Sequence, residues 1–194
     1  MILESIATTV DEGGAVNIAP LGPIVLSPDP KERFPSFLLR PYEGSRTCDN
    51  LLANGKAVIH VTDDVLLLAK TAVGHVSAEG LVCQAEGGSP HHQRLHDCHR
   101  WFAVEVTQYA GAPPRHEMTA KCIAEGVQRP FFGFNRAKHA VIEAAILATR
   151  IDLVDATTIQ QSIEALRTPV EKTAGLAEAE AFELIVEFVR ERSS

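Results

Sequence analysis

Apolar residues recur with period two through most of the first 130 positions and with a helical period beyond them. The run "ILESIATTV", the turn "DEGG" and the run "AVNIAPLGPIVL" predict a hairpin. "SFLLRPY", "KAVIHVTD", "RWFAVEVTQYAG" and "RHEMTAKCIAEGV" predict further strands by alternation or β-branched content. About six strands with short helical inserts imply a small antiparallel barrel over residues 1–130. In "FNRAKHAVIEAAILATRI", Ala137, Ala140, Val141, Ala144, Ala145 and Ala148 share one helical stripe, which Ile142 and Ile146 widen. His139, Glu143 and Arg150 leave a narrow polar edge, so this helix is expected to be largely buried. Thr158-x-x-Gln161 and Thr168-Pro169-x-Glu171 read as capping boxes for two more helices, the second stopped by Gly175. A last helix from about Ala177 to Glu191 carries Phe182, Ile185, Val186 and Val189 on one face. Residues 131–194 thus form a helical extension, expected to pack on the barrel.

The predicted second strand contains its own interruption. In "NIAPLGPIVL", residues 17–26, Pro20, Gly22 and Pro23 weaken or end strand pairing. An edge strand with a bulge, guarded against aggregation by its prolines, is one explanation.

Composition narrows the partners. The 194 residues carry 18 basic and 25 acidic side chains, a net charge of -7, without a run of three Lys or Arg, so nucleic-acid binding through a basic patch is not expected. Cys48, Cys83, Cys98 and Cys122 are widely spaced with no CxxC pair, which suits isolated thiols in a reducing cytoplasm. "MILESIATTVDEGG" lacks a basic n-region, and no apolar run approaches a membrane span, so neither a signal peptide nor a membrane association is expected.

The best anion site lies in "LRPYEGSRTCDNLLANGKAVIHV", residues 39–61. Ser45 or Thr47 is a natural N-cap, Asn50 to Ala53 supply a short helix, and Gly55 is a plausible stop. A hydroxyl-rich helix start flanked by Arg40 and Arg46 offers N–H groups and positive charge to one anion. A capped surface helix with two solvated arginines explains the same residues.

"VNIAPLGPIVL" on a hairpin, followed by "LRPYEGSRTCDNLLANGKAVIHV", resembles the FMN-binding split-barrel superfamily of flavin reductases and pyridoxamine-phosphate-oxidase-like proteins. The resemblance is strongest to a poorly characterised FMN-binding family whose members also carry a "GFNRA" segment and C-terminal helices, here "GFNRAKHAVIEAAILATR". It implies an α+β fold: a split antiparallel β-barrel of about six strands with a C-terminal helical extension. It also implies bound FMN, with the isoalloxazine along Asn17–Gly22, where Ala19, Pro20 and Gly22 leave the main chain approachable. Ser45, Thr47 and Asn50 are then expected at the phosphate and ribityl chain, and Arg40 or Arg46 compensates the charge. Asn135 and Arg136 reach a flavin or substrate from a second subunit, in a homodimer with flavin near its interface, or else cap and solvate the long helix.

The implied activity is that of an FMN-dependent oxidoreductase with an unknown small-molecule substrate and no assigned catalytic residue. The resemblance also suggests a link to tetrahydromethanopterin-linked one-carbon metabolism, in which some relatives are suspected of a role. A flavin carrier or sensor acting through a protein partner is the second reading. The third is a metal protein built on "SPHHQRLHDCHRWF", where His92, His96 and His99 share a helical face if that segment is a helix. Its counterpart is a solvated histidine-rich loop, and no metal is expected. Asp63 and Asp64 read as a strand end and an N-cap, and Trp101 and Phe102 as barrel core or interface.

Overall fold

In the computed structural model, which describes residues 1–26 and 34–193, the expected first hairpin forms from β1 (Ser5–Val10) and β2 (Val16–Leu21). They pair from Ser5 with Leu21 to Val10 with Val16. Between them the Gly14 N–H donates to Asp11 O, and Gly14 takes a left-handed φ of 87°.

Past Gly22 and Pro23 the chain leaves β1. Strand β3 (Ile24–Val25) pairs with β4 (Ser36–Leu39) at the other end of the sheet. With β5 (Lys56–Val61) and the two 13-residue strands described below as β8 (Arg100–Ala112) and β9 (Arg115–Val127), the sheet has the order β2-β1-β5-β8-β9-β4-β3. All its pairings are antiparallel. Residues ahead of β1 then meet β3: Leu3 N–H donates to Pro23 O at 3.0 Å, Val25 N–H donates to Met1 O at 2.8 Å, and Ile2 bridges Ile24. The sheet therefore curls until its last strand touches the chain entering β1, leaving β2 as an outer flap. This is the curled half-barrel of a mixed α+β fold, and the break at Gly22–Pro23 is the point where one strand changes sheet edges. Pro20, which has no N–H to donate, is tolerated because β2 is terminal in the sheet.

The concave face holds Phe37, Leu39, Ala57, Ile59, Phe102, Val104, Met118 and Ala120, with Cys48 and Leu51 contributed by helix α1 (Arg46–Asn54). The convex face of β5 and β8 is covered by a two-stranded ribbon, β6 (Val82–Gln84) and β7 (Gln93–Leu95). There Val58, Ala85, Cys98, Trp101 and Ala103 form a second cluster. Because both faces are covered, "AVIH" in β5 is wholly buried.

Residues 63–76 and the chain from Phe131 onward make a separate compact unit. It comprises α2 (Val65–Val73), α3 (Arg136–Ala148), α4 (Ala156–Ala165), α5 (Arg167–Thr173) and α6 (Leu176–Arg192). Asp64 caps α2 by accepting the Leu67 N–H. The α3 stripe is buried as expected, from Ala137 to Ala148. Lys138 joins it to the start of α2 and to α6, 2.5 Å from Asp63 and 3.7 Å from Glu178.

Three helix starts differ from the sequence expectation. Asp155, not Thr158, caps α4, because its carboxylate accepts both the N–H and the hydroxyl of Thr158. Helix α5 begins at Arg167 without a side-chain cap, so Pro169 falls in its third position rather than its first. Gly175 precedes α6 as its N-cap, where the Glu178 carboxylate accepts the Gly175 N–H at 2.9 Å, rather than closing α5. No helix among the described residues is long and apolar enough to cross a membrane.

Candidate functional site

Helix α1 begins as its sequence dictates. Ser45 is extended, its Oγ accepts the Cys48 N–H at 3.2 Å, and the same hydroxyl donates to Tyr42 O. Gly55 closes the helix at φ 68°, with its N–H on Leu51 O. A helix leaves its first N–H groups without intrahelical partners. The Cys48 N–H is taken by Ser45, and Arg46 and Thr47 are the first two residues of the helix.

Thr47, Asn50 and Asn54 recur at i, i+3 and i+7, on the face turned to the β1–β2 hairpin. Asn17 Nδ2 donates to Thr47 Oγ1 at 3.1 Å, Asn50 Nδ2 to Thr9 Oγ1 at 3.0 Å, and Asn54 Nδ2 to Val10 O at 2.7 Å. Thr9 and Asn17 are cross-strand partners. One Asn–Thr bond thus fixes the helix start to the outermost strand β2, and the other fixes the same helix to β1 beside it. Beside them is a cavity of about 360 Å³ lined by Asp11, Ala15, Val16, Asn17, Arg46, Asp49 and Asn50. Arg46 is exposed and makes no ion pair among the described residues.

Asn17, Arg46, Thr47 and Asn50 are therefore brought together, with Ser45 at the same helix start. Ala19 shares the Asn17 face of β2 by its period-two spacing, and Pro20 takes the other face. Gly22 lies beyond the strand, where a Cβ would stand 3.3 Å from Ile2 Cγ2, so it also serves the crossing to β3. Arg40 pairs with Glu117 at 2.8 Å. Asn135 belongs to the helical unit, accepting the Lys138 N–H as cap of α3 and donating to Thr173 O at 2.9 Å. Arg136 lines a separate pocket of that unit. Thr9, Asp11, Asp49 and Asn54 were not singled out from the sequence. The i, i+3, i+7 spacing of Thr47, Asn50 and Asn54 is the signal that could have found the last of these.

The histidine segment is neither a helix nor a solvated loop. Residues 93–95 are the strand β7, which separates His92, His96 and His99 from any common helical face. His92 is fully buried, its Nδ1 accepting the Ser89 N–H and its Nε2 facing Val104 O at 3.1 Å; burial holds its pKa below the usual value. His99 is buried against Pro130 O and Arg129. Among the described residues no group of three His, Cys, Asp or Glu side chains is placed to hold a metal ion. The buried thiols are equally quiet: desolvation raises Cys48 and pushes Cys98 up to about 11 and Cys122 to about 12.

The site therefore lies on a curled antiparallel half-barrel whose terminal strand is tied to the start of α1. Two family models, described as the N-terminal domain of a protein of unknown function (DUF447) and as a protein of unknown function (DUF447), match residues 3–129 and 135–187. The chain belongs to the DUF447 family. Its fold is similar to that of an FMN-bound DUF447 protein from Methanosarcina mazei, with 23% identity and a TM-score of 0.80 over 96% of this chain and 94% of that one. It is also similar to a flavoredoxin from Methanosarcina acetivorans, at 16% identity and TM-score 0.54 over 68% and 72% of the two chains. Component B of a nitrilotriacetate monooxygenase from Bacillus cereus matches at 15% and 0.54, over 66% and 70%.

Proposed function

We propose that this chain binds FMN at the start of α1 and along β2, and acts as a flavin reductase-like oxidoreductase. The observation that carries the reading is the Asn17–Thr47 bond, which holds an anion-binding helix start against the free edge of a terminal strand. The FMN-bound relative of the same family supports it.

In this reading the Ser45 hydroxyl, the Arg46 and Thr47 N–H groups and the Arg46 guanidinium hold the phosphate. The carboxylates of Asp11 and Asp49 suit hydroxyl donors rather than phosphate, which puts the ribityl chain on their side of the cavity. Asn17 and Ala19 offer a low surface and an unpaired strand edge to the flat ring. Bound flavin supplies the hydride and electron chemistry; the protein supplies position. A homodimer with flavin near its interface completes the reading, and the four free cysteines, three of them buried, suit a reducing compartment such as the cytoplasm.

Absorbance titration of the purified protein with FMN tests the site. Arg46→Gln, an exposed residue, is expected to weaken binding about tenfold without altering the melting temperature, and Ser45→Ala/Thr47→Ala by more than that. Absence of saturable binding by the unsubstituted protein at micromolar FMN overturns the reading. Anaerobic addition of NADH, NADPH or a reduced pterin then asks for turnover: bleaching of the flavin band supports the oxidoreductase, and an unbleached band leaves a flavin carrier.

A further inference from the structure

Helix α3 carries Arg136, His139, Ala140 and Glu143 at i, i+3, i+4 and i+7, so they share one stripe, and that stripe lines a cavity of about 410 Å³. Ala140 is buried, and its single methyl group leaves room beside the α4–α5 corner, where Leu166 and Pro169 supply the other wall. The volume is that of a small-molecule pocket rather than of a packing defect. All of its lining belongs to the helical unit, so it is a different site from the one at the start of α1.

One rim of this cavity is aromatic. Phe134 packs edge to face on Phe131 at 5.4 Å and lies 5.8 Å from the His139 ring, yet it is 88% exposed. A ring held by two neighbours at such exposure has lost freedom without gaining burial, and it offers a preset flat surface to whatever enters. The Leu166 and Pro169 wall is aliphatic. A planar ring suits both, stacking on the aromatic side and packing on the other.

The charged groups set what that ring carries. Arg136 and Glu143 are both exposed, and neither makes an ion pair among the described residues. Seven positions apart on α3, they stand about 10 Å from each other along the helix axis, at opposite ends of the stripe. A guanidinium at one end favours a carboxylate, which it binds bidentately. A carboxylate at the other end favours an N–H or O–H donor and repels a second negative charge, which disfavours phosphate esters and dicarboxylates. One acid and one donor across a flat ring satisfy both ends.

We propose that this cavity binds a planar aromatic monocarboxylic acid with a hydrogen-bond donor on its ring, the acid on Arg136, the donor on Glu143 and the ring against Phe134. The proposal does not rest on flavin binding at α1, and its readout needs no flavin.

Isothermal titration calorimetry of the full chain with indole-3-acetate and with 4-hydroxyphenylacetate tests it. Saturable binding with Kd below about 1 mM is expected for at least one acid, and binding at least about tenfold weaker for its primary amide, which lacks the charge. Arg136→Gln is expected to weaken the acid about tenfold and to abolish its advantage over the amide. Glu143→Ala is expected to weaken the acid several-fold while leaving its methyl derivative, blocked at the ring donor, unchanged. Both side chains are exposed, so the circular-dichroism melts should not move. Saturating FMN should leave the acid's affinity as it is. No saturable binding of either acid up to about 5 mM, an affinity indifferent to Arg136→Gln, a Glu143→Ala loss shared by the methyl derivative, or competition by FMN each overturns the proposal. A protein that binds the acid and not FMN keeps this site and loses only the flavin reading.

Discussion

Replacing Gly126 by alanine is expected to lower the unfolding free energy of the barrel unit by about 3 kcal/mol, at the upper end of what over-packing costs. Gly126 on β9 lies directly across from Trp101 on β8, and the indole rests on the main chain where a side chain would stand. A Cβ there would lie 2.6 Å from Trp101 Nε1 and 2.7 Å from Cε2 and Cζ2, inside any real contact distance. The flat, rigid ring gives way only as a body, and it is confined by Val58, Ala85, Cys98 and Ala103 beneath the β6–β7 ribbon. Relief therefore requires lifting the ribbon or shifting β9. Urea denaturation of Gly126→Ala measures the cost, and Trp101→Leu in the same background should recover part of it by removing the ring edge. A loss below about 1 kcal/mol, the ordinary scale of a surface substitution, would show that the ribbon yields easily.

This contact also marks where reading the sequence stops. Gly126 ends an alternating run and looks like a weak point of a strand; its use appears only when register sets it opposite Trp101. The local signals were legible. Ser45 and Gly55 bracket α1 because a cap and a left-handed stop act within four residues of chain. The α3 stripe was legible for the same reason. The caps of α4 and α6 were misplaced because acidic side chains competed for the same N–H groups: Asp155 took the role assigned to Thr158, and Glu178 drew Gly175 into the following helix.

The candidate site was half legible. Thr47 and Asn50 announce a polar helix face, yet their partners Asn17 and Thr9 are 30 and 41 residues away, and only the hairpin register makes them neighbours. His92 was expected in a solvated loop, because a polar residue outside any periodic run gives no sign of burial, and His60 was not singled out at all. In β5 both faces are covered, so "AVIHV" buries a histidine among aliphatics, and in the ribbon His92 turns inward to Val104 O. A polar ring is stable in such a place only when both nitrogens are satisfied.

His60 meets that condition, and its pH dependence follows. Its Nδ1 lies 2.9 Å from Ile6 O and its Nε2 accepts the Leu95 N–H at 3.0 Å, so the ring is neutral with the proton on Nδ1. A second proton has nowhere to go, because Nε2 is already an acceptor. Burial pushes the pKa down to about 4 from 6.5, the Ile6 carbonyl opposes this, and the Arg94 charge adds to it. A folded-state pKa below the unfolded value means that the unfolded chain binds the proton first. The stability tied to His60 is therefore fully present above pH 6.5 and is lost as pH falls toward 4. The loss reaches about 2 kcal/mol by pH 5 and about 3 kcal/mol once the window is passed. His92, also held below its usual pKa by burial, acts in the same direction. Glu86, held down to about 2 by the Arg94 guanidinium, loses its contribution only below its unfolded value of 4.5, so the interval from pH 7.5 to 5 isolates the histidines. Urea midpoints across that interval should fall steeply for the unsubstituted protein. His60→Gln, which lacks the titrating ring, should start lower and fall less. Equal slopes for the two proteins would remove His60 as the source and leave His92, whose ring closes the other end of the same ribbon.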